Sequence, residues 1–65
     1  MDGMIFSLDQ QIEEIERELE LRRGVYPRMV ANRKMRQSVA NYHMDRLKAV
    51  LATLLRLKAG SAAAE

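Results

Sequence analysis

The chain predicts an all-α fold, an antiparallel helical hairpin of coiled-coil type, on three observations. Ile5, Leu8, Ile12, Ile15 and Leu19 recur in alternating steps of three and four residues. The run Gly24-Val25-Tyr26-Pro27 then breaks the pattern, and a second amphipathic stretch follows as far as Leu57. Alternating steps of three and four gather side chains into one narrow helical stripe, which packs against a single neighbour. Two such stripes around one break describe a single domain over residues 1–60, with 61–65 as a frayed, Ala-rich tail.

Helix 1 is expected over about residues 7–23. Ser7 followed three residues later by Gln10 has the form of a capping box, in which two backbone N–H groups left over at a helix start are satisfied reciprocally. Glu13 with Arg17 and Glu18 with Arg22 stand four apart in the favourable order, and Arg22 and Arg23 suit the negative end of the helix dipole. Gly24 is placed to end the helix in a left-handed conformation, with Val25 folding back on Leu19. A corner over 24–34 follows, in which Pro27 opens a short helical turn.

Helix 2 is expected over about 36–59, ending before Gly60. At ~100° per residue its apolar residues cover an arc of roughly 160°, wider than one neighbouring helix fills. A register in which paired residue numbers sum to 62 sets Leu19 against His43, Ile15 against Leu47, Ile12 against Val50, Leu8 against Leu54 and Ile5 against Leu57. It also brings Glu18 to Arg46 and leaves Met44, Leu51 and Leu55 uncovered. Two helices bury too little to offset the ordering of some fifty residues, so the uncovered flank predicts a homodimer, a four-helix bundle with Met44, Leu51 and Leu55 at its interface.

Charge is sorted by position. Residues 7–20 hold six acids and one base, Arg17, whereas residues 21–44 hold six bases and no acid. The net charge of +2 conceals this segregation. Without cysteines there is neither a disulfide nor a thiolate metal site, which favours an intracellular home. The longest uncharged apolar run, Ala49–Leu55, is too short to span a bilayer, and no signal peptide is legible, so the expected place is the cytoplasm, away from any membrane.

Chemistry is not expected. His43 is the sole histidine and has no carboxylate three or four residues away, so its expected role is that of a half-buried, hydrogen-bonded core residue. The acids of helix 1 scatter around its circumference and form a solvated face without a convergent pair. No catalytic, metal or cofactor residue is therefore assigned, and the chain is expected not to be an enzyme. The assigned partner-binding residues are those of the basic corner, Arg22, Arg23, Tyr26, Arg28, Arg33 and Arg36. Cations around an aromatic ring also suit phosphates and a stacked base, so a nucleic-acid-binding accessory role is the alternative. Helix-turn-helix spacing is not legible. A small structural or assembly protein is a further alternative.

The segment Val25-Tyr26-Pro27-Arg28-Met29-Val30-Ala31, with Met35, Ala40 and Ala49-Val50-Leu51-Ala52-Thr53-Leu54, resembles a family of small proteins encoded in bacteriophages and prophages. Their pattern is an acidic first helix with an Arg-rich end, a V-Y-P-R/K-x-V corner and a second helix with an A-V-L-A-T-L core. Here Met29 stands where an aromatic is common and Arg33 where glycine is usual. The family has no established common function. The resemblance implies a phage accessory protein in a bacterial host cell, acting stoichiometrically on a host protein such as a transcriptional regulator, a defence component or a motor.

Overall fold

A computed structural model describes residues 5–64. They form two helices, α1 (Leu8–Ala31) and α2 (Gln37–Ala64), packed against each other, and no strand is present among the described residues. At about 1.5 Å per residue the helices are roughly 36 and 42 Å long. The Cα envelope measures 49 × 29 × 17 Å, an elongated shape.

The start of α1 is the expected capping box. Ser7 Oγ accepts from the Gln10 amide at 3.1 Å, and Gln10 Oε1 accepts from the Ser7 amide at 2.9 Å. Its end is not where the local signals put it. Gly24 is helical, with no positive φ, and α1 runs through Pro27 to Ala31. An interior glycine costs about 1 kcal/mol and an interior proline about 3 relative to alanine. Against this, Val25, Tyr26, Met29 and Val30 are all half-buried. Half of the usual burial gain for four such side chains comes to about 3–6 kcal/mol, enough to carry the helix through both residues. The missing N–H of Pro27 leaves the Arg23 carbonyl without its helical donor. One turn on, Arg28 Nε donates to the neighbouring Gly24 carbonyl at 3.1 Å.

The left-handed residue lies nine positions beyond Gly24. Arg33 has φ 59°, the Lys34 amide donates back to the Met29 carbonyl at 2.8 Å, and the Arg33 amide donates to the Val30 carbonyl at 3.0 Å. These are the two bonds of a Schellman motif, made around a residue type that disfavours its geometry. Beyond the turn, the Arg36 carbonyl accepts from the Val39 and Ala40 amides at 3.1 and 3.0 Å and opens α2. That helix continues through Gly60 into the tail, as far as Ala64. The expected stop before Gly60 is corrected: Ala62, Ala63 and Ala64 are the strongest helix formers available and carry the last turn. Glu65 lies outside the described residues.

Moving the turn to Asn32–Arg36 moves the register with it. Asp9 meets Lys58 at 2.6 Å, where the sum-to-62 register would have placed Thr53. The ring of Tyr26 lies 6.3 Å from that of His43, where Arg36 would have stood. As a result Ala40, Met44, Leu47, Leu51 and Leu54 are the buried or half-buried residues that follow the seam of α2. The expected seam residues Val50, Leu57 and Ile5 are 44, 53 and 96% exposed. The expected Glu18–Arg46 bridge is replaced by Glu18–Arg22 at 2.9 Å. Among the described residues only Ile12, Leu19 and Ala40 are buried. Ala40 lies near the short turn, where the helices converge and a small side chain suits the approach.

Two substitutions test this geometry. A Cβ on Gly24 would meet only the end of the Arg28 side chain, at 3.9 Å. Gly24→Ala is expected to stabilise by about 1 kcal/mol in urea unfolding, whereas a left-handed Gly24 would give a loss instead. Arg33→Gly is expected to stabilise by about 1 kcal/mol as well, by relieving the left-handed conformation.

Candidate partner-binding surface

The basic residues expected to act together divide into two groups. Arg33 and Arg36 stand exposed in the turn, and Lys34 joins them. None of the three is paired with a carboxylate among the described residues, and the first turn of α2 contains no acid. With Val30, Met35 and Gln37 they line an open, shallow concavity at the tip of the hairpin. Because the turn bonds satisfy α1 carbonyls through backbone amides, the three cationic heads are left to solvent.

Arg22 and Arg23 lie roughly 15 Å back along α1, ten or eleven residues before Arg33. Arg22 is paired with Glu18 and lies 5.7 Å from the Tyr26 ring centroid, while Arg23 is 3.8 Å from Glu20. Tyr26 is half-buried between the helices and is not a free stacking platform. Arg28 is exposed and spends its Nε on the Gly24 carbonyl. Of the six assigned residues, then, only Arg33 and Arg36 share the tip. The signal that groups them with Lys34 is the left-handed turn, which an Arg at that position conceals.

Of the residues expected at a dimer interface, Met44 and Leu51 are half-buried and Leu55 is 47% exposed. Met44 shares a groove between the helices with Arg23, Tyr26 and Pro27 of α1. His43 sits between the rings of Tyr26 and Tyr42, at 6.3 and 5.6 Å, and no hydrogen bond to its ring is present among the described residues. Arg46 stacks 5.2 Å from the Tyr42 centroid and donates to its hydroxyl at 3.3 Å. On the acidic face, Arg17 pairs with Glu14 at 3.7 Å in place of Glu13. Among the described residues no three His, Asp or Glu side chains gather to hold a metal ion, and no helix is long and apolar enough to cross a membrane.

Compared with known protein families, curated proteins and solved structures, the chain matches none. The reading therefore rests on the residues themselves.

Asp9–Lys58 is the one ion pair among the described residues that joins the two helices. The hydrogen bond to the Asp9 carboxylate raises the Lys58 pKa above its ordinary value, and the charge of Asp9 acts in the same direction. A small loss of hydration opposes the shift and the charge of Glu16 adds to it. A raised lysine pKa means a contribution to stability that is complete below the ordinary value and is lost as pH rises through the raised one. The Lys58 side chain is exposed, so the contribution is small. Asp9→Asn is expected to return Lys58 to the ordinary lysine range in an NMR titration of its side chain, and an unchanged Lys58 would show that the bridge does not form in solution.

Proposed function

We propose that the chain is a non-enzymatic binding module, a homodimer that docks its basic tip on an acidic surface of a bacterial host protein. The observation that carries this reading is the tip itself, where Arg33, Lys34 and Arg36 are exposed and without carboxylate partners among the described residues. Along the shaft, by contrast, Glu18 pairs with Arg22 and Glu20 with Arg23. The grooves among the described residues at the tip and along α2 are open and shallow, which supports a binding role over chemistry. The resemblance to small phage proteins supports a host protein as the target and modulation of that target as the outcome.

Nucleic acid is the weaker reading for two reasons. Tyr26, the aromatic available for stacking at the corner, is half-buried between helices. Three free cations neutralise few phosphates, and the affinity and salt dependence of nucleic-acid binding grow with the number neutralised.

Affinity capture from host lysate with wild-type protein beside an Arg33→Glu, Arg36→Glu variant tests the proposal. A protein retained by the wild type and lost by the variant is the expected result. Retention of duplex or single-stranded DNA at ~50 mM salt, with a steep salt slope that the same variant flattens, would favour the nucleic-acid reading instead.

A further inference from the structure

The molecule exposes more surface than its mass explains. A globular monomer of 7.5 kDa is expected to expose about 4,200 Å², and this one exposes 5421 Å². The surplus, about 1,200 Å², exceeds the ~800 Å² that each partner contributes to an ordinary protein interface.

A second repeat shows where that surplus is organised. Beside the intramolecular seam, α1 carries Gln11, Ile15, Glu18, Arg22, Val25 and Met29 in steps of four and three. On α2 the same steps give Val39, His43, Arg46, Val50, Thr53 and Leu57. Both rows lie on one side of the hairpin, since Glu18, Arg22, His43, Arg46 and Val50 line a common groove. The opposite side offers the polar Asp9, Glu16 and Arg23 from α1 and the apolar Met44, Leu51 and Leu55 from α2, a mixed face.

The α1 row is complementary to its own reverse, and the α2 row carries one apolar pair. Run antiparallel to a copy of itself, the α1 row sets Glu18 against Arg22 and Ile15 against Val25. The α2 row sets Val39 against Leu57 and Val50 beside Arg46. One axis serves both rows: counting 1.5 Å per residue from the turn, Glu18 is level with Val50 about 24 Å away, and Arg22 is level with Arg46 about 18 Å away. The alternative, a parallel pairing, would set Arg22 on Arg46 and bring the two basic tips together, placing like charges in contact.

We infer that a second copy of this chain covers the Val50 side of the hairpin, antiparallel about a two-fold axis that passes between the levels of Glu18 and Arg22. The inference rests on the dimer reading above and names its face, which is not the Met44–Leu51–Leu55 flank. Isologous contact places two Glu18–Arg22 pairs across the axis with apolar layers on either side. The two basic tips then stand about 42 Å apart at opposite ends of a four-helix bundle, so the module is bivalent.

Sedimentation equilibrium and native mass spectrometry test this, with circular dichroism confirming that each variant is helical. The wild type is expected at twice the chain mass. Val50→Glu is expected to weaken the dimer about tenfold or more, and Leu55→Glu, on the other flank, to leave it intact. Glu18→Arg and Arg22→Glu are each expected to weaken self-association, while an equimolar mixture restores it as a heterodimer, because every facing pair is again of opposite sign. A monomeric wild type would overturn both this inference and the dimer reading. A dimer that survives Val50→Glu and yields to Leu55→Glu, or a mixture without heterodimer, would overturn the assigned face and leave the dimer reading standing.

Discussion

The contact between α1 and α2 is the interaction on which the rest depends, and it is thin. Two helices in one layer have no third element to close over them, so each gives its partner one stripe and keeps the remainder in water. Among the described residues only Ile12, Leu19 and Ala40 are buried. With so small an interior, every half-buried residue along the stripe matters, and the most useful extension is to lengthen the contact. That is what α1 does by continuing past Gly24 and Pro27. Stopping at Arg23 would remove the half-buried Val25, Tyr26, Met29 and Val30 from the helix, and with them much of the upper hairpin.

Much of the architecture was legible in the residues. The number of helices, their antiparallel packing, the Ser7–Gln10 cap and the Glu18–Arg22 pair all follow from spacing within one helix, where local rules are strong. The turn was not legible, because Gly24 and Pro27 are strong local stop signals whose cost is offset by burial against residues some fifteen positions later in the chain. The register followed the turn into error. A hairpin's pairing is fixed by where it reverses, and a shift of the reversal by three residues displaces each partner by about six. Val50 and Leu57 thus moved from the seam to the surface, while Met44 and Leu51 moved toward α1.

The candidate surface was partly legible for the same reason. Counting bases along the chain collects Arg22, Arg23, Arg28, Arg33 and Arg36 into one corner. Geometry separates them, since a helix that continues through Arg28 spreads its cations along a shaft and around its circumference. Those on the shaft find acids one turn away, and those beyond the cap find none among the described residues. What distinguishes the tip from the remainder of a basic sequence is position relative to the end of α1, a quantity that composition does not contain.

Arg33 ties stability to the proposed activity. The Schellman turn requires a left-handed residue at this position, and glycine would supply it without strain. Arginine accepts a cost of order 1 kcal/mol in a molecule with a minimal interior, and in return the turn of the hairpin carries a fixed positive charge. A cation one residue earlier, at Asn32, would lie at the C-cap of α1, close to the negative end of its dipole. At Arg33 the backbone has already turned away from that helix, and the guanidinium extends from the tip beside Lys34 and Arg36. If the tip is a docking surface, the strained residue is where local stability and partner recognition compete.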